Sequence, residues 1–306
     1  MNTLVVITGP TAVGKTALCL DIAKQYGLPI INADSRQIYK DMKIGTAAPT
    51  DEQQKEVKHY FVGNLALDDY YNAAMFEQDV LKLLNQLFDN QQAYSGNIEQ
   101  NMALMTGGSM MYIDAVCNGI DDIPTITNET RNLLMERLNN EGLETLCDEL
   151  KIIDPEYYAI VDKKNTRRVI HGLEICIQTG KTYTSFRKKE KKARPFNVVK
   201  IALNRPREEL YERINNRVDW MIDNGLEEET RTLYKYRNQN ALNTVGYKEM
   251  FEFLDGNYSL EEAIERIKGN TRRYARKQLT WFKRDKDVLW FNPDNKNEIM
   301  NYISHI

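Results

Sequence analysis

The chain has 306 residues, of which 42% are hydrophobic, and its formal net charge at pH 7 is −3. This length and apolar content suffice for one large domain, or for a core domain carrying a smaller one, and argue against a disordered chain. No apolar run reaches the roughly 20 residues of a membrane helix, and the N-terminus lacks a signal peptide's charged and apolar regions. We therefore predict a cytoplasmic protein without a membrane partner. The net charge argues against bulk attraction to nucleic acid, although lysine and arginine are concentrated in 163–194 and 266–286.

The first part of the chain alternates between strand and helix patterns. A β-branched run at 4–8 ends in a glycine-rich turn, and 15–26 has helical composition and stops at Gly27. Further strands are predicted at 29–33 and 102–106, and an amphipathic helix at 75–88. This alternation predicts a parallel, doubly wound sheet with right-handed crossovers.

The pattern changes in the second part to nearly continuous helical periodicity from 130 to 179, and a strand signal returns only at 197–203. We interpret this as a helical insertion, which divides the chain into a first core segment, 1–121, an insertion domain, 122–194, and a second core segment, 195–306. The second core segment contains a predicted helix at 208–224 and ends with a long basic helix. That helix should begin at a capping box formed by Ser259 and Glu262, run to about 283, and pack through the stripe Leu260, Ile264, Ile267, Thr271 and Tyr274.

Two residue types without an obvious chemical role are assigned to the interior. The four cysteines are far apart and show neither zinc-ligand nor redox spacing, so reduced, mostly buried thiols are predicted at Cys19, Cys117, Cys147 and Cys176. The tryptophans are expected to lie in the core rather than to act as stacking platforms for bases: Trp220, Trp281 and Trp290.

The strongest single motif is a phosphate-binding loop between the first strand and the first helix. Its residues fit G-x-x-x-x-G-K-[ST]: Gly9, Pro10, Thr11, Ala12, Val13, Gly14, Lys15 and Thr16. Glycines let consecutive backbone N–H groups and the helix N-terminus face a phosphate, while Lys15 adds a positive charge and Thr16 offers a ligand for Mg²⁺. The predicted fold class is α/β, a P-loop-type doubly wound parallel sheet with a helical insertion domain.

The loop alone does not identify the phosphate compound. Kinases and nucleoside triphosphatases usually place a second acidic residue at a strand end, yet the strand at 102–106 ends in 107–109, Gly-Gly-Ser. The acidic residue at a strand end near the loop is Asp34, followed by Ser35, Arg36 and Gln37, a polar cluster suited to base recognition. A phosphoryl-transfer enzyme acting on a small metabolite with ATP, and an RNA-binding module that senses a nucleotide, remain alternatives.

Several segments together resemble the bacterial tRNA dimethylallyltransferases, in the family's order and over almost the whole chain: 9–16, 34–39, 45–49, 107–112, 242–248 and 276–281. The resemblance implies that the loop holds the diphosphate of dimethylallyl diphosphate with Mg²⁺. It also implies that a tRNA anticodon stem-loop inserts a flipped adenosine, the one beside the anticodon, into a channel from the opposite side. A monomer is expected.

The resemblance also implies roles for individual residues. Asp34 matches the general base, and Lys15, Thr16 and Arg217 match groups that stabilise the leaving diphosphate; Arg213 lies four residues before Arg217 on the same predicted helix. Ser109 stands where relatives usually carry threonine, and the resemblance implies a catalytic role for its retained hydroxyl, which would hydrogen-bond the reacting amine or the base. The tRNA contacts implied by resemblance are Asp34, Ser35, Arg36, Gln37, Ser109, Arg131, Asn165, Thr166, Arg167, Arg168, Val169, Leu242, Asn243, Thr244, Val245, Gly246, Tyr247, Thr271, Arg272, Arg273, Tyr274, Ala275, Arg276, Lys277 and Gln278.

Overall fold

The computed structural model describes residues 1–89, 101–188 and 190–306. This part of the chain forms two compact units, one made of Met1–Cys117 and Arg194–Ile306 and the other of Asn118–Ala193. We call them the sheet unit and the helical unit. The assignment of 122–194 to tRNA binding stays a prediction.

The sheet unit is built on parallel strands. Their bounds are β1 Thr3–Thr8, β2 Ile30–Asn32, β3 His59–Tyr60, β4 Met102–Thr106, β5 Asn197–Leu203 and β6 Leu289–Phe291. Among the described residues they form one sheet in the order β3-β2-β4-β1-β5-β6, with every pairing parallel. The predicted α/β fold with a doubly wound parallel sheet is confirmed. Ligands of such sheets bind beyond the carboxyl ends of the strands, so the loops there position the site.

Helices account for most of the remaining regular structure. Their bounds are α1 Lys15–Tyr26, α2 Asp51–Glu56, α3 Ala73–Asp89, α4 Met110–Asn118, α5 Asn128–Ile153, α6 Pro155–Ile160, α7 Thr166–Thr179, α8 Tyr183–Phe186, α9 Arg207–Asp223, α10 Leu226–Leu233, α11 Tyr247–Leu254, α12 Leu260–Phe282 and α13 Lys296–Ser304. Short 3₁₀ helices cover Tyr234–Tyr236 and Asn240–Leu242. Across the described ranges, no helix has the length and apolar character needed to cross a membrane.

Side chains of β1 point alternately to the two faces of the sheet, and both faces are covered by helices. Val5 and Ile7 pack in a core with residues of α1, α9 and α13, whereas Leu4 and Val6 pack in a second core with residues of α3 and α4. Fully burying a side chain of this size stabilises the fold by about 1.5–3 kcal/mol. The central strand is therefore fixed from both sides, and the loop that follows it starts from a rigid point.

The helical unit has its own apolar core, formed by residues of α5, α6 and α7. Asp154, which is buried, ties α6 and α8 together: its carboxylate accepts the backbone N–H of Tyr157 at 3.0 Å, the backbone N–H of Thr184 at 2.8 Å and the hydroxyl of Thr184 at 2.7 Å. The long helix α5 is interrupted at Gly142, whose φ of 83° is not helical.

The predictions for the interior are partly correct. All four cysteines are buried and free, and Trp281 and Trp290 pack against the second core. Trp220 is 49% exposed, so its assignment to the core is wrong. The predicted capping box is only half formed: the Ser259 hydroxyl accepts the backbone N–H of Glu262 at 3.1 Å, but the Glu262 carboxylate pairs with Arg266 instead.

Candidate functional site

The phosphate loop connects β1 to α1 at the carboxyl end of the sheet. Gly9 has a φ of 141°, and a Cβ there would lie 2.6 Å from the carbonyl oxygen of Leu203, so only glycine fits this position. Helix α1 begins at Lys15 after Gly14, and no side chain caps it. The N–H groups of its first turn therefore remain open to an anion.

The ammonium group of Lys15 is enclosed by the loop. It donates to the carbonyl oxygens of Gly9 at 2.9 Å and Pro10 at 2.8 Å. Burial lowers the pKa of Lys15 to about 8, assisted by the charge of Arg217 and opposed by that of Asp34. Thr16, in contrast, is an exposed residue, and its hydroxyl makes no hydrogen bond with the described residues, so it is free to bind a ligand.

Two arginines of α9 reach the loop, and they are the pair predicted four residues apart. Arg213 donates to the carbonyl of Ala12 at 2.9 Å. Arg217 donates to the hydroxyl of Thr11 at 3.0 Å and to the carbonyl of Thr46 at 3.1 Å. Burial lowers the pKa of Arg217, and the charge of Asp34 opposes this. Both guanidinium groups therefore add positive charge beside the phosphate loop.

A third arginine at the loop was not predicted from the sequence. Arg205, just after β5, donates to the carbonyl of Val13 at 2.9 Å, and its guanidinium donates two hydrogen bonds of 2.7 Å to the carboxylate of Asp294. Arg205 contributes to the shape of the loop, while its charge is largely neutralised by Asp294 and Glu209. Val13 and Asp294 are too distant from Arg205 in sequence to form a recognisable motif.

Asp34 begins the turn that follows β2. One carboxylate oxygen accepts the backbone N–H groups of Arg36 at 2.9 Å and Gln37 at 3.3 Å. No hydrogen bond to the other oxygen is made by any residue that the structure describes. The charge of Asp34 raises the pKa of both Lys15 and Arg217 against the effect of burial. An unused carboxylate oxygen thus lies within electrostatic reach of the two cations.

The turn after β4 is bonded to the Asp34 turn through Ser109. Its hydroxyl accepts the backbone N–H of Ser35 at 2.8 Å and donates to the Ser35 hydroxyl at 3.1 Å. Arg36 donates to the carbonyl of Asn240 at 2.9 Å, and Gln37 donates to the carbonyls of Thr46 and Ala47. The polar cluster therefore fixes the backbone around Asp34.

Helix α12 presents a basic face to solvent. Arg273, Arg276 and Lys277 are exposed, and Thr271 and Arg272 are partly buried, with Arg272 donating to the side chain of Asn215 at 2.6 Å. The opposite face is buried and includes Ala275 and Gln278. These two side chains pack inside the fold, and the tRNA contact expected of them stays a prediction.

The other segments predicted to contact tRNA also contain both exposed and buried side chains. In 242–247, Asn243, Thr244 and Val245 are partly exposed, whereas Leu242, Gly246 and Tyr247 are buried. In the helical unit, Asn165 caps α7 and Thr166 begins it, Arg167 and Arg168 are exposed, and Val169 is buried. Arg131 lies 3.6 Å from the buried carboxylate of Glu174. The side chains of Leu242, Tyr247 and Val169 serve packing, because the core around them separates them from solvent.

Comparison with known proteins agrees with this geometry. The family model described as IPP transferase matches residues 37–285. A "tRNA dimethylallyltransferase 1" of Phocaeicola vulgatus is 59% identical over 100% of this chain and 99% of the relative. A protein of the same name from Bacteroides fragilis is 58% identical over 99% of this chain and 97% of the relative.

Solved structures agree as well. A tRNA isopentenylpyrophosphate transferase from Bacillus halodurans is 35% identical, with a TM-score of 0.70, and the match covers 100% of this chain and 96% of that one. A second, a tRNA delta(2)-isopentenylpyrophosphate transferase from Staphylococcus epidermidis, is 29% identical, with a TM-score of 0.69. The match covers 100% of this chain and 98% of that one. The chain therefore belongs to the IPP transferase family, together with these bacterial tRNA dimethylallyltransferases.

Proposed function

We propose that the protein transfers a dimethylallyl group from dimethylallyl diphosphate to the exocyclic amine of adenosine 37, beside the anticodon of tRNA, and releases diphosphate. One observation carries the proposal: Asp34, one of whose carboxylate oxygens accepts no hydrogen bond from the described residues, acts through its charge on Lys15 and Arg217 at the phosphate loop. A base and an anion site thus lie side by side. The names of the full-length relatives, tRNA dimethylallyltransferase, support the reaction class.

The diphosphate would occupy the loop between β1 and α1. The open N–H groups at the start of α1 and the ammonium of Lys15 would bind its oxygens, with Arg217 beside them. When the carbon–oxygen bond breaks, negative charge grows on the diphosphate and an allylic, cation-like carbon remains. Donors already fixed in place stabilise that charge without reorganising, and each such donor typically contributes about 3–4 kcal/mol to the transition state.

A magnesium ion fits the loop and is part of the proposal. The residues that the structure describes contain no cluster of three acidic, histidine or cysteine ligands. Mg²⁺ does not need one, since it commonly keeps several waters and uses one or two protein ligands together with substrate phosphates. The hydroxyl of the exposed residue Thr16 would be the protein ligand. Bound there, the ion would neutralise charge on the diphosphate.

Asp34 would accept the proton of the attacking amine. Adenine's exocyclic amine is a weak nucleophile whose proton becomes acidic only as the new nitrogen–carbon bond forms, so a carboxylate can take it late in the step. The proton passes to the Asp34 oxygen, the carbon–oxygen electrons leave with the diphosphate, and the dimethylallyl group stays on nitrogen. Ser109 would hold the Asp34 turn through Ser35.

The tRNA would be bound through the exposed basic face of α12, because phosphate contacts supply most of the affinity for a nucleic acid. Arg273, Arg276 and Lys277 form that face. Among the resembling segments, Asn243 and Thr244 offer partly exposed polar side chains, and Arg167 and Arg168 of the helical unit offer exposed ones. We propose that the protein acts on tRNA as a monomer in the cytoplasm.

Mass spectrometry of nucleosides tests the proposal directly. Unmodified tRNA is incubated with the protein, Mg²⁺ and dimethylallyl diphosphate, then digested. A nucleoside heavier than adenosine by one dimethylallyl group, absent without the diphosphate, is the expected product. ATP consumption with a small acceptor would favour a phosphoryl-transfer enzyme instead. Binding of tRNA without covalent change would favour an RNA-binding module.

A further inference from the structure

Gln278 lies on the buried face of α12 and is only 1% exposed. Its side-chain oxygen accepts the backbone N–H of Thr11 at 2.9 Å, and its side-chain nitrogen donates to the carbonyl of Gly108 at 2.8 Å. We propose that Gln278 is a positioning residue that fixes the phosphate loop relative to the turn after β4, and with it the spacing between diphosphate and base. The inference rests on the proposed function and deepens it.

The two groups joined by Gln278 belong to different loops. Thr11 is in the phosphate loop after β1, and Gly108 is in the turn after β4. A backbone N–H can meet only the oxygen of the amide, and a carbonyl only its nitrogen, so the two partners define the orientation of the side chain. A Cβ on residue 108 would lie 2.5 Å from the side-chain nitrogen of Gln278, so glycine at this position permits the contact.

Hydrogen bonds continue from both partners into the site. On one side, the Thr11 hydroxyl accepts from Arg217. On the other side, Ser109 follows Gly108 in the chain and is bonded to Ser35, the neighbour of Asp34. Gln278 therefore stands in the middle of a chain of contacts that runs from the cation beside the diphosphate to the turn that carries the base.

Gln278 acts through the loops rather than on the substrate. Because Thr11 already gives its N–H to Gln278, that N–H is not a donor for the diphosphate in this arrangement. Tyr274, one turn earlier on α12, approaches the same Gly108 carbonyl at 3.4 Å. The buried side of α12 thus supports the reacting groups while its exposed side, with Arg276 and Lys277, faces solvent.

A positioning role has a kinetic signature that an RNA contact lacks. Catalysis depends on near-attack geometry, and a displacement of about 1 Å can lower the rate roughly a hundredfold while binding persists. Loss of Gln278 should therefore lower kcat and leave the KM for tRNA nearly unchanged. A residue that contacts RNA should show the reverse split.

The test compares Gln278→Met, which has a similar shape but makes neither hydrogen bond, with Lys277→Met as the matched control on the exposed side of the helix. Single-turnover transfer and the KM of each substrate are measured with the full chain, tRNA and dimethylallyl diphosphate. We expect Gln278→Met to lower the rate about 10- to 100-fold with both KM values within about threefold. Lys277→Met should instead raise the KM for tRNA.

A second variant, Gln278→Glu, keeps the shape and gives a pH-dependent rescue. When protonated, its carboxyl can accept from Thr11 and donate to Gly108, as the amide does; when ionised, it cannot donate and adds a negative charge. Its rate relative to wild type at the same pH should therefore recover as pH falls, because burial favours the protonated form. This variant also serves if Gln278→Met does not fold.

Three results would overturn the inference: an unchanged rate for Gln278→Met, a raised KM for tRNA at an unchanged kcat, or a flat pH ratio for Gln278→Glu. A lowered melting temperature with a normal rate per folded molecule would show a purely structural role. Failure of the proposed function is distinguishable, since the wild-type protein would then form no dimethylallylated nucleoside at all.

Discussion

The hydroxyl of Tyr247 donates to the carboxylate of Glu229 at 2.6 Å. The same carboxylate accepts the backbone N–H groups of Lys43, Ile44 and Gly45 at 3.0, 2.8 and 2.9 Å. The loop held in this way continues to Thr46, whose carbonyl accepts from Arg217 and from Gln37. A carboxylate on α10 therefore supports the arginine beside the phosphate loop, and Tyr247 completes its hydrogen bonds from the core.

The Glu229 cluster predicts a loss of both stability and activity. Glu229→Ala leaves three backbone N–H groups and the Tyr247 hydroxyl without their acceptor, and we expect the free energy of unfolding to fall by about 2–4 kcal/mol. The transfer rate should also fall, because Arg217 loses the fixed carbonyl of Thr46. Tyr247→Phe removes only the hydrogen bond to the Glu229 carboxylate and should lower the free energy of unfolding by about 2 kcal/mol. Denaturant unfolding and single-turnover transfer measure the two effects.

Tyr236→Phe is the matched control for this prediction, since Tyr236 is exposed. It should change the free energy of unfolding by less than about 0.5 kcal/mol. An unfolding curve for Glu229→Ala that overlays the wild-type curve would contradict the role assigned to the carboxylate.

The pKa of Lys15 predicts a pH dependence of substrate binding. Burial lowers this pKa to about 8 from 10.5, so the ammonium loses its proton within an accessible pH range. The anionic diphosphate binds more tightly to the protonated, positively charged form of Lys15. The KM for dimethylallyl diphosphate should therefore be flat below about pH 8 and rise above it by up to about tenfold per pH unit. Lys15→Ala should raise this KM at neutral pH and remove the inflection.

The same pKa has a consequence for stability without ligand. Between about pH 8 and 10.5 the unfolded chain binds more protons at Lys15 than the folded chain does. This residue therefore makes the free energy of unfolding rise with pH in that window, and Lys15→Ala should abolish its contribution. Lys24→Ala, an exposed change on the same helix, should change neither the pH dependence of the KM for dimethylallyl diphosphate nor that of the free energy of unfolding. Identical KM profiles for Lys15→Ala and wild type would contradict the assignment.

The basic face of α12 predicts a salt-dependent loss of tRNA affinity. Replacing Arg276 or Lys277 by glutamine should raise the KM for tRNA and reduce the slope of log affinity against log salt by somewhat less than one unit per residue. The KM for dimethylallyl diphosphate should barely move. Arg231→Gln on α10 is the control, because Arg231 is exposed and paired with Glu227. If the salt slopes of the α12 variants are unchanged, this basic face does not contact tRNA phosphates and is ordinary solvated surface.

Most of the fold could be predicted because its long elements carry strong local patterns. The bounds of α1 match the prediction, and the predicted strands β1, β2, β4 and β5 are present within a residue or two. The edge strands β3 and β6 were missed, since pairs and triplets such as His59–Tyr60 and Leu289–Phe291 are too short to show a period.

The site was predictable where a motif is local and not where partners are remote. The phosphate loop is contiguous, and Asp34 directly follows a strand. Gln278 meets Thr11 across 267 positions, and Arg205 meets Asp294 across 89, which no spacing rule connects. On α12 the predicted apolar stripe included Thr271 and Tyr274, but the buried face is Ala263, Ile267, Ala275, Gln278 and Phe282. A small residue and a buried amide do not stand out in a hydrophobic pattern.

The role of Asp34 as base predicts that binding and chemistry separate in Asp34→Asn. The amide oxygen can still accept the N–H groups of Arg36 and Gln37, so the turn should keep its shape and the melting temperature should change little. The amide cannot take the amine proton. We expect tRNA affinity to stay within about threefold while single-turnover transfer falls by roughly a hundredfold to ten-thousandfold, the usual contribution of a general base.

Asp41→Asn, an exposed change a few residues further on, controls for the loss of one negative charge. It should react at the wild-type rate. A turn residue without a chemical role would behave differently: Asp34→Asn would keep both the cap and the transfer rate, whereas Asp34→Ala, which removes the acceptor, would lower the free energy of unfolding by about 1 kcal/mol and leave the rate per folded molecule intact. Transfer rate and melting temperature are therefore measured on one preparation. If Asp34→Asn reacts at the normal rate and Asp34→Ala only melts early, the carboxylate is a cap, and the proton of the amine leaves by another route.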